Sequence, residues 1–371
     1  MRTHFRTFAV NCAISLLVIL CCGASTKADS STTKKRLITK LAEGVYEIRH
    51  VDAPDAFPQG NTTVVIGYDA VLVVDSCYLP SSAREDIAQI REWTKKPVRF
   101  LLNTHWHYDH TMGNAEYVDA FPGIAVISQV ETRNQIAGYN PQWFLKYPTR
   151  ADLFRKVLES GKDFDGKPLS AADAESYKKS LAGVALVQPE FEKSAKRLGD
   201  LVPKVTFDHE MTLNLGNREV RFLHEGRGNT AGDAAVYLPV EKILITGDLL
   251  DSPIPYHFGG YPNENVETLE ALDRLDVQTI VPGHGEILRD KTFFHLELEF
   301  LRTVTEEVRR AIYKEGAGSE NFDKVREDVL KNLDAASFRI RFAGTDRNDG
   351  DFFDETLDGL IKAAFAESWG K

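Results

Sequence analysis

Residues 103–114 read NTHWHYDHTMGN, and within them His105, His107, Asp109 and His110 fall inside six residues. Imidazole nitrogens and carboxylate oxygens are the donors that borderline divalent metals take. Four of them in one loop are too many for a single ion. His105 and His107 are two apart, so from extended backbone they point the same way. Asp109 and His110 come after the strand has turned and face a second point. One short motif can then serve two metals about 3.5–4 Å apart. A solvated histidine-rich loop is the plain alternative, and HxHxDH spacing at a strand's end argues against it.

Two later segments look like partners. Asp248 ends the apolar run KILITGD behind a glycine, where a buried carboxylate needs a cation to offset its desolvation. His284 stands in VPGHGE, between two glycines and again after an apolar run. Alone each is a weak signal, since an aspartate in a turn is ordinary. Their order and placement after HxHxDH join them to it.

These residues need elements to position them. A strand-rich region starts near residue 37 with VYEIRH, TTVVIG and AVLVVDS, the last two separated by a turn at Gly67-Tyr68-Asp69. SSAREDIAQIREWTKK spaces Ile87, Ile90 and Trp93 as a helix opened by a capping serine. VRFLLN is then a strand that runs into the histidines. Strand, helix, strand with ligands at the strand's carboxyl end predicts a layered α/β fold with its site at the sheet edge. Residues 141–200 break the pattern with two helical stretches, SAADAESYKKSLAGVA and QPEFEKSAKRLGDL, and are expected to be a helical insertion. Strands return in KVTFDH, MTLNL, EVRFLHE, DAAVYLP and KILITGD, and VQTIVPGHG closes the strand-rich region at about 290. Residues 291–371 are expected to be a C-terminal helical region that packs on the core.

The chain has 371 residues, 43% hydrophobic and 27% charged, an ordinary globular composition. Residues 1–28 differ: Arg2 and Arg6 precede an apolar run from Cys12 to Cys22, followed by small residues. The run is short for a bilayer span and reads as a signal peptide, with 29–36 as a polar linker. The expectation is export, periplasmic or secreted, with no stable membrane insertion after cleavage. Cys21 and Cys22 leave a lipid-anchored form open. Three of the four cysteines lie in that leader, so only Cys77 remains and no intramolecular disulfide can form. The net charge is −10 and the leader is basic, so the exported chain is more acidic still. An acidic chain without basic clusters repels phosphate backbones, which argues against nucleic acid and for a small-molecule substrate.

HWHYDH followed in order by GRGNT, TGD and PGHG resembles the metallo-β-lactamase-fold superfamily, over roughly residues 40–290. The resemblance implies a four-layer αβ/βα sandwich with metals along one edge, and matches Asp75 of VLVVDS to a structural aspartate near the site. It implies His105 and His107 at a first metal, Asp109, His110 and His284 at a second, and Asp248 bridging the two.

The departure is GRGNTAGD at 226–233. The superfamily's GxGHT pattern has histidine where this chain has Asn229, as in a branch of exported members that it resembles. An amide oxygen is neutral and harder than imidazole, and holds zinc less well. His224 and His257 are candidates to replace the missing ligand, although His224 also suits an ordinary strand position. The expected cofactor is zinc, as two ions of unequal affinity, with iron or manganese also compatible. The expected activity is a hydrolase that directs a metal-bound hydroxide at a small acyl substrate: a lactam, lactone, ester or thioester. In it Asp109 binds metal and orients water, and Asn229 orients water, donates to an oxyanion, or is only a turn residue. DSPIPYHFGGYP offers Tyr256, His257 and Tyr261 to a substrate, and Trp143 and Phe144 are candidates for an entrance wall. A single-metal binding protein and an iron-dependent redox member of the same superfamily are the alternatives.

Overall fold

The run AVLVV, residues 70–74, has no side chain that gains from facing water, and the fold buries both of its faces. In the computed structural model, which describes residues 36–138, 148–163, 166, 168–257, 259–316 and 318–369, this run forms β4, Val71–Val74. Val71 and Val73 face one core, Leu72 and Val74 another. The expected leader, most of the linker, and Trp143 and Phe144 lie outside the described residues.

The first sheet has seven strands in chain order: β1 (Leu37–Ala42), β2 (Val45–Arg49), β3 (Thr62–Ile66), β4, β5 (Val98–Asn103), β6 (Ala125–Gln129) and β7 (Val205–Phe207). Pairing is antiparallel from β1 to β4 and parallel from β4 to β7. The second sheet holds β8 (Glu210–Asn214), β9 (Glu219–Leu223), β10 (Ala235–Leu238), β11 (Ile243–Asp251) and β12 (Thr279–His284), with β11 and β12 parallel. Val65, Leu72, Val74, Leu102 and Ile127 of the first sheet meet Val220, Phe222, Val236, Ile245 and Val281 of the second in one core.

Each outer face carries helices. α1 (Pro80–Trp93) packs Ala83, Ile87 and Ile90 on the first sheet, where α3 (Asn114–Ala120), which follows the single turn α2 (Tyr108–Thr111), adds Tyr117. On the second sheet lie α8 (Pro262–Asp273), α9 (Thr292–Glu315), α10 (Phe322–Asn332), α11 (Ala335–Ala343) and α12 (Arg347–Trp369). The result is the four-layer αβ/βα sandwich. Between β6 and β7 run α4 (Val130–Gly138), α5 (Pro148–Ser160), α6 (Ala171–Ala195) and α7 (Leu198–Leu201). Phe154, Tyr177, Val184 and Phe191 of α5 and α6 cover Phe57, Tyr78 and Tyr108 in a separate apolar cluster beside the sandwich. None of the helices among the described residues is long and apolar enough to cross a membrane.

Two local expectations are corrected. No serine caps α1: the helix starts at Pro80 behind Leu79, without a side-chain cap. The cap comes from the insertion, where Glu190 of α6 accepts from the Ser81 N–H (2.7 Å) and the Ser81 hydroxyl (2.8 Å). A carboxylate there also offsets the positive end of the helix dipole. The two helical stretches of the insertion are also largely one helix, α6, which runs through Pro189. Packing of its apolar face on both sides of the proline holds it continuous.

β2 is tied to α1 by charge. His50 Nε2 lies 2.9 Å from Asp86 Oδ2, Arg36 Nη1 lies 2.6 Å from Asp86 Oδ1, and His50 Nδ1 lies 2.9 Å from the Gly60 carbonyl. Burial alone lowers the His50 pKa, but the Asp86 charge and hydrogen bond outweigh it and raise it above the ordinary value. A histidine pKa raised by folding adds stability that is full below its unfolded value, about 6.5, and fades as pH rises through the folded value. Breaking a buried pair costs about 3–5 kcal/mol. His50→Gln should therefore lower the unfolding free energy from urea denaturation at pH 6 by an amount of that order, and by less as the pH climbs. Urea titrations from pH 6 to 9 check this; a deficit that grows with pH would refute it.

Candidate metal centre

The carboxyl ends of β4, β5, β11 and β12 open onto one edge of the sandwich, and the donor side chains gather there. His105 and His107 follow β5, Asp109 and His110 lie in α2, Asp248 lies within β11, and His284 ends β12. Their donor atoms form two clusters, Asp109/His110/Asp248/His284 and His105/His107/Asp248, each with its atoms within 4.8 Å of one another. Asp248 belongs to both. Its Oδ2 faces His105 Nε2 at 3.2 Å and His107 Nδ1 at 3.8 Å. Its Oδ1 faces His110 Nε2 at 3.0 Å and His284 Nε2 at 3.8 Å.

Local chain chemistry makes room for this. A Cβ at residue 283 would overlap Asp248 Oδ1, and one at residue 60 would overlap the His110 ring, so glycine is required at both. Asn61 fixes the β12 end by donating to the Pro282 and Gly285 carbonyls at 3.0 and 3.1 Å.

The supporting hydrogen bonds decide where the lone pairs point. Asp75 Oδ1 accepts from the Thr104 N–H (2.8 Å), and Oδ2 accepts from the Thr104 hydroxyl (2.7 Å) and His110 Nδ1 (2.9 Å). Thr104 spends its hydroxyl proton on Asp75, so its oxygen accepts from His105 Nδ1 at 3.0 Å. In their neutral forms both imidazoles then carry bare Nε2 atoms facing acceptors. His110 Nε2 lies 3.3 Å from His284 Nε2, and Asp109 Oδ2 lies 3.0 Å from His284 Nε2. His105 Nε2 and Asp248 Oδ1 are buried and have no hydrogen-bond partner. Converging buried acceptors repel unless a cation lies between them, so this donor set fits divalent metals.

Protons compete with metal here: the carboxylates favour a proton on His110, which a bound cation must displace. Burial lowers the His110 pKa, but the Asp248, Asp75 and Asp109 charges outweigh it and raise it well above the usual range. Burial raises the Asp248 pKa, and His110, His105 and His284 bring it well below the usual carboxylate range. Burial keeps His105 low, toward the neutral form that a metal binds.

Asn229 stands at the first cluster. It is 7% exposed, and its Nδ2 lies 3.4 Å from both His107 Nδ1 and Asp248 Oδ2. Rotating the amide by half a turn would present Oδ1 to the same point. The loop is held from outside: Arg227 pairs with Glu264 and stacks over Tyr261, and the Thr268 hydroxyl donates to the Arg227 carbonyl at 2.9 Å. The α8 start that supplies these ties is itself capped by Glu367 of α12, which accepts from the Asn263 N–H at 2.7 Å.

Neither candidate replacement histidine reaches the cluster. His224 Nδ1 bonds the Asp233 carbonyl at 2.7 Å, satisfying the loop's backbone instead. His257 is 3% exposed with Nε2 3.3 Å from Glu297 Oε1, a buried pair outside both ligand clusters. His257 is not among the described residues that line the cavity beside the centre. Tyr256 does line the cavity beside the centre, whereas Tyr261 lies under Arg227. Another trio, His50, Cys77 and Asp86, comes within ligand range. Gly60, Asp86 and Arg36 use both its imidazole nitrogens and its carboxylate, so it reads as the buried ion pair described above.

The cavity holds about 430 Å³ and is bounded by His107, Asp109, Asp248 and His284 on the metal side. Residues that sequence reasoning missed form the rest, among them Phe57, Asp251 and Phe352. For Asp251 a signal existed: DLLD places two acids at the end of one apolar strand. Asp251 Oδ1 accepts from the His284 N–H at 3.0 Å.

Comparison with known proteins bears on the same region. Residues 56–284 match the family described as the metallo-beta-lactamase superfamily. A linear primary-alkylsulfatase from a Pseudomonas species is 24% identical over 228 residues, 59% of this chain and 40% of that protein. A type 2 metallo-beta-lactamase from Elizabethkingia meningoseptica is 26% identical over 102 residues, 26% of this chain and 41% of that protein. The chain thus spans less than half the length of these curated relatives. A metallo-beta-lactamase from Pontibacter korlensis superposes with a TM-score of 0.50 at 19% identity, over 72% of this chain and 99% of that one, a likeness of fold.

Asp75 fixes His110 without facing the ligand clusters itself. Loss of such an outer partner weakens metal binding by about 10–100-fold. Asp75→Asn should show a loss of that size when zinc is titrated against a chromophoric chelator. An unchanged affinity would remove Asp75 from the support of the site.

Proposed function

The chain belongs to the metallo-β-lactamase superfamily, and on that footing we propose that it is an exported, zinc-dependent hydrolase of small acyl substrates. One observation carries the reading: bare nitrogens and carboxylate oxygens converge in two adjoining clusters that share Asp248. His105 and His107 would hold one ion, Asp109, His110 and His284 the other, with one oxygen of Asp248 toward each. When bound, such a pair supplies Lewis acidity and a water acidified from about 15.7 to near 7. The protein's own groups do the rest. Asp109 reaches the cavity with Oδ2 held by His284, where it orients a water and takes up a proton. The Asn229 amide, fixed by the Arg227 and α8 ties, donates to an oxygen that gains charge, a contribution of about 3–4 kcal/mol in well-made sites. Phe57, Ile254 and Phe352 wall the cavity and limit solvent access. Cys77 takes no part: it is buried, and burial pushes its thiol pKa well up.

The relatives' names give an alkylsulfatase and a β-lactamase, so kinship supports hydrolysis more than any one substrate. The leader-like residues 1–28 support export. A single-metal protein is the second reading, favoured by the unequal donor sets: four residues in one cluster, and three with a neutral amide in the other.

Titrating zinc into metal-free protein should fill two sites of different affinity, with Asn229→His tightening the weaker one. Two sites of equal affinity would contradict the unequal assignment, and one site would favour the second reading. A lactam, lactone, ester and thioester panel should show turnover that chelation abolishes and zinc restores. Turnover that survives chelation would end the metal-dependent reading.

A further inference from the structure

The cavity has a second side that the metal chemistry does not use. Asp251 lines it at 4% exposure, with Oδ1 taken by the His284 N–H and Oδ2 without a hydrogen-bond partner. Asp52, from the loop after β2, and Asp349, from the first turn of α12, also line it. The aromatic residues Phe57, Tyr256 and Phe352 line the same cavity. No lysine or arginine among the described lining residues offsets the charge.

We propose that these carboxylates and rings of the cavity wall bind a cationic ammonium group carried by the substrate. The inference rests on the hydrolase reading and names its substrate class: an acyl compound with a positively charged amine. Carboxylates with aromatic faces around a cavity are the chemistry that recognises such a group, through charge and through the negative faces of the rings. A buried carboxylate oxygen without a partner favours the arrival of a cation or an N–H donor. Asp349 lies next to Asp346, and burial and that neighbour both push its pKa up, a strain that a bound cation relieves. An anionic chain such as a sulfate ester's would meet the same carboxylates as repulsion. Asp349 and Phe352 lie in α12, beyond the family-matched residues 56–284, so this wall belongs to the chain's own C-terminal part.

The zinc-loaded protein is given three 4-nitrophenyl esters of one chain length, ending in a methyl, a trimethylammonium or a carboxylate group. The cationic ester should show kcat/KM about ten-fold above the neutral one and further above the anionic one at low salt. Asp349→Asn and Asp52→Asn should each bring the cationic-to-neutral ratio toward one. A ratio of one in the parent protein, a preference for the anionic ester, or a ratio that both variants leave intact overturns the proposal. Calorimetric titration with pentyltrimethylammonium separates this outcome from failure of the hydrolase reading. If none of the esters is cleaved, saturable binding that weakens several-fold in folded Asp349→Asn still supports the ammonium site. Absent or unweakened binding overturns it.

Discussion

The active edge depends on one buried carboxylate. Asp75 accepts hydrogen bonds from the Thr104 backbone, the Thr104 hydroxyl and His110, and so dictates which nitrogen of each neighbouring imidazole is bare. From that follows the aim of the His105 and His110 lone pairs at Asp248. The backbone of Asp75 has φ of +61°, a conformation an aspartate adopts only under constraint. The surrounding sheet supplies it: the Asp75 N–H donates to the Leu102 carbonyl at 2.8 Å, which locks the end of β4 to β5. The site is thus assembled where two parallel strands end together, and side chains from both sheets close over it.

Much of this was legible in the sequence because the ligands are local. HWHYDH lies directly after an apolar strand, and GD and PGHG end two others, so each donor's place at a strand end was legible, and their order and the family resemblance joined them. The layered fold was legible for the same reason: runs such as VLVV and ILIT must be covered on both faces. Less local features were not. The capping of α1 depends on Glu190, more than a hundred residues away, and no reading of SSARED contains it. β1, whose residues are exposed or half-buried, gives little apolar signal, and the short β6 was passed over. The continuity of α6 through Pro189 reflects packing that overrides local propensity.

The candidate site was legible on its metal side and illegible on its substrate side. Metal donors are few in type and constrained in spacing, whereas a cavity wall can be drawn from any segment. Asp52, Phe57 and Phe352 come from parts of the chain with no shared pattern. His257, in a loop that looked suited to substrate, instead turns inward and lies 3.3 Å from the buried Glu297. An attractive residue in a promising loop is weaker evidence than a donor at a strand's end.

The metal donors fall between residues 105 and 284, and one wall of the cavity comes from α12, more than sixty residues later. The same helix caps α8 through Glu367. That separation divides the labour of inheritance. Changes near Asp349 and Phe352 can retune what enters the cavity while leaving the donor set intact, whereas changes at the other end of the helix are read through α8 at Asn229. The cavity wall and the candidate donor set are thus separable by position in the chain.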